Sequence, residues 1–251
     1  VLDITKPLHP KVPEMGQVTV PFTKTVYIDA SDFRTQDAPD YFRLAPGKTV
    51  GLYQVPHPVT CTSFRTNDAG EVTELVCRYE NGASPVVPKT YIQWVAEHAP
   101  SQSPVRVAEA RLFHPLFTCE DPAAQDDFLA FINPDSREIL RDAMLEVGIF
   151  RVAEMAIAQA KREAHERVQQ AAQLGENALG KDAAQSVQAD DASQASASST
   201  VGKECVRFQA MRVGYFAADS DSSMALFGDQ AAPRLVLNRI VSLKEDAGKS
   251  K

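Results

Sequence analysis

The chain has 251 residues and a formal net charge of −7, with 44% hydrophobic and 24% charged residues. This composition is typical of a soluble globular protein and argues against a protein that coats nucleic acid non-specifically. No apolar run approaches the roughly 18 residues of a membrane span, and we expect no secretory leader. We therefore expect a cytosolic protein of one large or two small domains.

Charge distribution and cysteine usage narrow the expected chemistry. Residues 101–150 hold nine acidic and four basic residues, whereas residues 201–251 hold eight basic and six acidic residues, so a local basic site is allowed. The cysteines form no C-x-x-C pair and have no histidine at metal-ligand spacing, and we expect free thiols without a metal site. They are Cys61, Cys77, Cys119 and Cys205.

The first part of the chain has the pattern of a connector followed by strands. Residues 1–16 contain three prolines and end in glycine, which predicts an extended connector. From residue 17 onward β-branched residues alternate with others, and strand candidates recur about every dozen residues. This spacing favours a closed barrel or a sandwich, and TNDAGE at 66–71 predicts a hairpin turn.

A second β block starts at residue 105 and is interrupted by helical segments. DPAAQDDFLAFINPDS at 121–136 predicts a helical turn, and residues 136 to about 172 are rich in helix formers. Residues 175–200 are almost entirely small or polar and predict a mobile insertion, because they cannot bury enough apolar surface to offset chain entropy. The β pattern returns at residues 203–244.

Common enzyme motifs are absent from the sequence. G-x-S-x-G, H-E-x-x-H and G-x-G-x-x-G do not occur, and the five histidines are scattered. PGKTVG at 46–51 resembles the end of a phosphate-binding loop, but the required first glycine would fall at Phe42, so we interpret it as a turn leading into a strand. The acidic pairs at 120–121 and 126–127 are interpreted as residues that begin helical turns.

The stretch RFQAMRVGYF at 207–216 has the apolar residues of a strand but also carries Gln209 and Arg212. In a regular strand these two side chains, three residues apart, would point to opposite faces. Arginine can bind phosphate or a base edge, and glutamine offers a donor and an acceptor to one base, as in the recognition of unpaired RNA. Solvated arginines on strands are also common, so the residues alone leave both interpretations open.

Six groups of stretches, in register along nearly the whole chain, together resemble one family. They are HPKVPEMG with VPFTKTVYIDASDF, YFRLAPGKTVGL, YIQWV, AEARLFHPLF with DDFLAFINPDS, RFQAMRVGYF, and VLNRIVSLKED. The combination resembles the C-terminal anticodon-binding region of the class I glutaminyl-tRNA synthetases, apart from residues of roughly 147 to 202. VPHPV after GKTVGL and the FQ-x-x-R-x-GYF pattern favour the glutaminyl over the related glutamyl enzymes.

The resemblance implies a mainly β fold of two stacked β-barrels with a helical and partly disordered insertion. This is the ribosomal protein L25-like, class I Glu/Gln synthetase anticodon-binding type. The first barrel would span residues 17–104 and the second 105–244, with the insertion at about 147–202 and a tail at 245–251. SREILRDAML has helical propensity, but the family has a strand at this position and a helix that starts near Val147. We therefore predict a strand followed by that helix.

The resemblance further implies an enzyme, a glutamine–tRNA ligase that uses ATP and Mg in an N-terminal catalytic domain. HIGH-like and KMSKS-like motifs are absent here and the chain starts with Val, so we expect a fragment with no catalytic residues, no metal site and no cofactor of its own. The expected partners are the anticodon loop of tRNA(Gln), the protein's own N-terminal catalytic domain and candidate multi-synthetase partners. No DNA and no membrane are expected, and the location is cytoplasmic.

Four predicted RNA-binding residues follow from matching positions in the family. Gln209 and Arg212 fall on positions that read the middle anticodon base, which implies a bulge or strand end between them. Arg43 falls on a position that contacts the third base, and Lys11 on a polar position near the loop. The GYF that follows Arg212 is expected to resume the barrel, with one of its aromatic side chains in the core.

The fifth residue, Tyr53, departs from the family pattern. Gly51 and Tyr53 stand where bacterial members have arginines directed toward the first anticodon base, and we expect Tyr53 to stack there instead. Two alternatives remain open. One is the anticodon-binding region of a glutamyl-tRNA synthetase, and the other is a non-catalytic L25-like barrel that binds rRNA or protein.

Overall fold

The structure is a computed structural model that describes residues 1–9, 11–82, 86–178, 201–225 and 233–243. These residues divide into two compact units. The first consists of Val1–Val105 and Met144–Gly148, and the second of Arg106–Ala143 and the described residues of Ile149–Leu243. The long N-terminal segment of the first unit ends at Val105, the residue at which the second barrel is predicted to start.

Strands are the main regular elements of the first unit. In chain order they are β1 (Leu2–Pro7), β2 (Gln17–Phe22), β3 (Val26–Tyr27), β4 (Thr49–Leu52), β5 (Val59–Thr66), β6 (Val72–Tyr79), β7 (Tyr91–Ile92) and β8 (Val95–Ala96). Short 3₁₀ helices lie at Pro13–Met15, Ala30–Asp32 and Ala99–Ser101. β1 pairs with β2, β3 pairs with β8, and the other four strands form a sheet in the order β6-β5-β4-β7.

The core of the first unit forms around the central strands of this sheet. Val50 and Ile92 are fully buried, because β4 lies between β5 and β7 and its apolar run is covered. Trp94 packs edge-on against Phe22, with ring centroids 5.2 Å apart. Burial of such side chains stabilises the fold by about 1.5–3 kcal/mol each. Cys61 belongs to this core, and all four cysteines are free thiols.

The connector expected at residues 1–16 requires correction, because its first half is a strand. β1 pairs antiparallel with β2 along its whole length, from Leu2 opposite Phe22 to Pro7 opposite Gln17. Ile4 is only 6% exposed and joins the core, so it anchors β1. The prolines suggested a connector, but Pro7 ends the strand and Pro13 lies in the turn after it.

Two predicted turns of the first unit are confirmed. Asn67 and Gly70 close the β5–β6 hairpin: the Asn67 side chain accepts hydrogen bonds from the backbone of residues 69 and 71, and Gly70 adopts a φ of 81°. In PGKTVG, Gly47 has a φ of 78° and β4 begins two residues later. That motif is therefore a turn into a strand.

The second unit is built on one six-stranded sheet. The elements from residue 105 onward are β9 (Val105–Phe113), β10 (Arg137–Leu140), β11 (Ala143–Leu145), α1 (Gly148–Ala178), β12 (Arg207–Ala210), β13 (Gly214–Ala218) and β14 (Leu235–Ser242). The sheet order is β10-β9-β14-β13-β12, with β11 as its sixth strand, and β9 and β14 are parallel. Further 3₁₀ helices lie at Pro122–Ala124, Phe128–Phe131 and Lys203–Cys205.

The helical turns predicted in residues 121–136 are confirmed, and so is the role of the acidic residues before them. The Asp121 side chain accepts hydrogen bonds from the backbone of residues 123 and 124, and the Asp127 side chain accepts one from residue 129. Each carboxylate therefore caps a short 3₁₀ helix.

SREILRDAML forms strands despite its helical propensity. β10 pairs antiparallel with β9, β11 follows two residues later, and α1 begins only at Gly148. Tertiary pairing has overridden local propensity, and the version implied by the family is confirmed. α1 ends at Ala178, beyond the predicted helix-forming stretch, which ends at about residue 172. The remainder of the predicted insertion, residues 179–200, lies outside the described residues, as does the tail at 245–251.

The mainly β fold class is confirmed. Within the described ranges the strand pairings form two two-stranded sheets, one four-stranded sheet and one six-stranded sheet, and these pairings do not close into a ring. Over the same ranges no helix is long and apolar enough to cross a membrane.

An ion-pair network joins β9 to the loop that follows β13. The Arg111 guanidinium lies 3.0 Å from Glu109, 2.8 Å from Asp221 and 3.3 Å from Asp219. Arg234 lies 2.7 Å from the other Glu109 oxygen. The hydrogen bond from Arg111 lowers the pKa of Glu109, and the pKa of Asp219 is lowered chiefly by the backbone N–H of Asp221.

We expect this network to make the second unit sensitive to acid. Because both carboxyl pKa values are lowered by folding, their stabilisation is present at neutral pH and is lost as the pH falls below about 4.5 and through the lowered values. Arg111→Met should flatten the dependence of the free energy of unfolding on pH between 6 and 3, measured by urea denaturation. Arg65→Met, at an exposed ion pair with Glu74, is the control and should leave the dependence unchanged.

Candidate RNA-binding site

The stretch at 207–216 forms a tight hairpin turn rather than a continuous strand. β12 ends at Ala210, β13 begins at Gly214, and the Val213 N–H donates to the Ala210 carbonyl at 2.9 Å. Arg212 is the third residue of this turn and has a φ of 65°. The interruption predicted between Gln209 and Arg212 is therefore confirmed.

Arg212 occupies a backbone conformation that normally selects glycine. A positive φ at the third turn position costs a residue with a Cβ atom about 1–2 kcal/mol. Such strain is retained most often where the side chain has a function. The guanidinium is exposed and forms no hydrogen bond or ion pair with any described residue.

The two faces of this hairpin differ sharply. Phe208 and Phe216 stack with centroids 6.3 Å apart, and Phe216 is 4% exposed, so of the two aromatic residues of GYF it is Phe216 that enters the core. Gln209 lies directly opposite Tyr215 on the other face, and both are exposed. The amide of Gln209 has no partner within the described part of the chain.

Arg43 lies in a loop of the first unit and is held by a buried carboxylate. It forms an ion pair with Asp32, and the side chains are 15% and 5% exposed respectively. The backbone is held as well, because Leu44 N–H donates to the Asp32 carbonyl and Arg34 N–H donates to the Leu44 carbonyl, both at 3.0 Å. The guanidinium is thus held by Asp32, and the side chain as a whole is 15% exposed.

Asp32 was missed by the sequence analysis. It ends the 3₁₀ helix Ala30–Asp32, next to Asp29, which caps that helix through a hydrogen bond from Ser31. In the sequence, Asp29 and Asp32 are both acidic residues in a turn. No local pattern shows that Asp32 is the buried one and that Asp29 caps the helix. Only the pairing of Phe33 with Leu44 brings Asp32 to Arg43.

The same loop holds two further cations. The Arg34 guanidinium lies 4.4 Å from the centroid of the Tyr41 ring. The Lys48 ammonium binds the Asp37 carboxylate and the Tyr41 carbonyl, and the hydrogen bond from Lys48 lowers the pKa of Asp37. These contacts fix the loop around Arg43.

Tyr53 follows β4 and lies in a turn that resembles the one at Arg212. Its N–H donates to the Ile92 carbonyl at 3.0 Å, and its own carbonyl accepts from the Trp94 indole at 2.9 Å. The side chain is half-buried. The next residue, Gln54, is exposed and has a φ of 65°, and the Val55 N–H closes the turn on the Leu52 carbonyl.

Gly51 is a glycine for a steric reason. A Cβ atom added at this position would overlap the ring of Tyr91, which lies opposite it on β7 and is 45% exposed. A longer side chain at residue 51 therefore requires Tyr91 to move. The sequence shows that Gly51 replaces an arginine of the bacterial members. It does not show that Tyr91 covers this position.

Lys11 is exposed, and its ammonium has no hydrogen bond or ion pair with the described residues. Its backbone N–H donates to His9 Nδ1 at 3.1 Å, just before the Pro13–Met15 turn. Lys11, Arg43 and Tyr53 therefore belong to the first unit, and Gln209 and Arg212 to the second.

The described residues form a mainly β protein with exposed arginine, lysine and glutamine side chains, and comparison with known families identifies its class. A family model described as tRNA synthetases class I (E and Q), anti-codon binding domain, matches residues 1–80, and a second model with the same description matches residues 91–169. Together they match more than half of the chain. The chain belongs to this family of anticodon-binding domains.

Its relatives include curated glutamine–tRNA ligases. The chain is 38% identical over 247 residues to a probable glutamine–tRNA ligase of Schizosaccharomyces pombe, which covers 98% of this chain and 26% of the relative. It is 40% identical over 250 residues to a glutamine–tRNA ligase of Hypocrea virens, covering 99% of this chain and 31% of the relative. A bacterial relative from Serratia proteamaculans is 38% identical over 140 residues, or 53% of this chain and 24% of the relative. The chain thus spans about a quarter to a third of the fungal relatives.

Proposed function

We propose that this chain is the anticodon-binding region of a glutaminyl-tRNA synthetase and reads the glutamine anticodon. The observation that carries the proposal is the hairpin turn at 210–213. There an exposed arginine, without a partner among the described residues, keeps a strained backbone beside an exposed glutamine. Family membership supports it. So does the similarity to glutamine–tRNA ligases, which extends over 98% and 99% of this chain in the two fungal relatives.

The chemistry of the five residues fits the bases of this anticodon. Both glutamine anticodons carry uracil in the middle, which offers carbonyl acceptors and one N–H donor. Arg212 supplies donors only, whereas Gln209 supplies both a donor and an acceptor, so together they complement a uracil edge. Tyr53 is proposed to stack on the first base, and Lys11 to bind the loop backbone.

Arg43 distinguishes glutamine from glutamate in this proposal. The third anticodon base is guanine for glutamine and cytosine for glutamate. Arginine has only donors and binds guanine O6 and N7 bidentately, whereas cytosine presents a competing amino donor. In this proposal the Asp32 carboxylate fixes the position of the guanidinium, and the preference of arginine for guanine favours the glutaminyl over the glutamyl alternative.

In the full-length protein these contacts would supply specificity rather than chemistry. The proposed reaction is ATP-dependent formation of glutaminyl-tRNA, with ATP and Mg held by a catalytic domain outside this chain. Correct anticodon contacts would favour productive placement of the acceptor end, a form of induced fit. A cytoplasmic location and contacts with other synthetases belong to the same proposal.

The test is binding of the chain to tRNA(Gln) and to two altered tRNAs at low salt. Changing the middle base, or replacing the third base by cytosine, should each weaken binding about 5- to 150-fold, since one bidentate base contact contributes roughly 1–3 kcal/mol. Low salt preserves the phosphate contacts that this part of the protein makes. Equal affinities for the three tRNAs would contradict anticodon reading and favour an L25-like RNA-binding barrel.

A further inference from the structure

The hairpin that carries Arg212 also presents a row of side chains on its exposed face. Gln209 of β12 lies opposite Tyr215 of β13, and Tyr215 lies opposite Val241 of β14. Directly opposed residues of antiparallel strands share one face, so the three side chains form a row across the sheet. Phe216 points to the other face and is buried, which places the row toward solvent.

This row is unusually apolar for a solvent face. Tyr215 is 42% exposed and Val241 is 54% exposed, and they are flanked by Val213 at 51% and Ile240 at 55%. Antiparallel sheets that cover a core on one face normally carry polar residues on the other. Adjacent exposed apolar side chains of this kind mark a surface that binds something.

The backbone is irregular at the same place. The pairing of β13 with β14 shifts register between Tyr215 and Phe216, so Ile240 is the extra residue of a bulge. Bulges are enriched beside binding sites, where they redirect side chains and interrupt pairing. Here the bulge lies beside the pair formed by Tyr215 and Val241, and both aliphatic residues at it, Ile240 and Val241, are exposed.

The neighbouring polar groups indicate the kind of ligand. The row begins with the amide of Gln209, and the neighbouring turn carries the guanidinium of Arg212. Hydrogen-bond donors and one acceptor therefore border the side chains of Tyr215 and Val241. An unpaired nucleobase has this same combination of an apolar face and a polar edge, and single-stranded RNA is commonly bound by stacking on aromatic side chains.

We propose that Tyr215 and Val241 form a stacking face for an unpaired nucleobase next to the middle anticodon base. This inference rests on the proposed function and extends it to a residue outside the five predicted ones. Tyr215 supplies the ring, Val241 and Ile240 support it at the edge, and the adjacent middle base is held by Gln209 and Arg212.

The experiment uses tRNA(Gln) in which a fluorescent base analogue, 2-aminopurine, replaces the nucleotide on either side of the middle anticodon base. Binding of the wild-type chain should quench one of the two probes by stacking. Tyr215→Ala should abolish that quenching and weaken binding about 5- to 150-fold, the loss expected for one stacked base. Tyr215→Phe and Tyr215→Trp should retain both, because the ring and not the hydroxyl makes the contact.

Leu129→Ala is the matched control, because Leu129 is 60% exposed in the same unit and lies outside this row. It should leave quenching and affinity unchanged. Circular dichroism confirms that each variant is folded, and Val241→Ser provides a second test of the face if Tyr215→Ala fails to fold. Unchanged quenching and affinity in these folded variants would overturn the proposal.

Failure of the stacking face can be distinguished from failure of the proposed function. If the wild-type chain loses affinity when the middle base is changed but Tyr215→Ala behaves like wild type, only the stacking face is wrong. If the wild-type chain ignores the middle base, the proposed function itself is wrong. A concentration-dependent dimer that Tyr215→Ala dissociates would show that the face binds a second copy of the chain and would also overturn the proposal.

Discussion

Arg212→Gly is expected to weaken recognition of the middle anticodon base while leaving the protein as stable as before or slightly more stable. Glycine adopts the φ of 65° found at this position without a steric cost. Relief of about 1–2 kcal/mol of strain is partly offset by the roughly 0.5–1 kcal/mol of extra chain entropy that glycine loses on folding. Arg212→Ala removes the same guanidinium but keeps the strain, so it should be the less stable of the two variants.

Affinity and stability are therefore expected to move in different directions in Arg212→Gly. Its affinity for tRNA(Gln) should fall about 5- to 150-fold, and changing the middle base should then cost less than it does in the wild-type chain, because only the Gln209 contact remains. The two quantities are measured by tRNA binding at low salt and by the free energy of unfolding in urea. A fall in stability parallel to the fall in affinity would mean that Arg212 supports the fold rather than RNA binding.

Gln54→Gly is the matched control for this experiment. Gln54 has the same φ of 65° in a turn closed in the same way, but it lies in the first unit. Its replacement by glycine should shift stability in the same direction as Arg212→Gly and leave discrimination at the middle base intact. Loss of that discrimination in Gln54→Gly would show that the effect does not come from one arginine.

The sequence predicts this turn for a reason that is specific to it. Gln209 and Arg212 are three residues apart, and only an irregular backbone can present both of them on one side. The structure has that irregularity as the turn at residues 210–213 between β12 and β13. The spacing alone left two interpretations open, and the family resemblance was needed to predict the interruption between these residues.

Other features depend on contacts that no local pattern encodes. The helical propensity of SREILRDAML is overridden because β10 pairs with β9, which is distant along the chain. β1 is a strand because β2 pairs with it and Ile4 is buried, although its prolines suggest a connector. In both cases the long-range pairing determined the local structure.

Asp32 illustrates the same limit at the candidate site. Its burial follows from the pairing of residues 33 and 44, a contact between two loop segments, and from the position of Arg43 beside that pair. The sequence could identify the arginine by family resemblance but not the carboxylate that holds it. Charged residues that orient a binding side chain are therefore harder to predict than the side chain itself.

The buried pair allows stability and base reading at the third anticodon position to be separated. Removing one partner of a buried ion pair typically costs about 3–5 kcal/mol, because the other charge is left uncompensated. Arg43→Gln should cost more than Asp32→Asn, since Asp32 is 5% exposed whereas Arg43, at 15%, can still reach water. The double variant should recover much of this loss, because its two amides can hydrogen-bond each other.

Base reading should not recover together with stability. The Asp32→Asn, Arg43→Gln and double variants are all expected to lose the preference for guanine over cytosine at the third anticodon base, while the preference at the middle base is retained. The first two lose it because the guanidinium is free to move or absent, and the double variant because a neutral amide cannot replace a fixed guanidinium at guanine O6 and N7. A double variant that regains both stability and the guanine preference would contradict the role of Arg43, because the ion pair would then serve only to hold the loop.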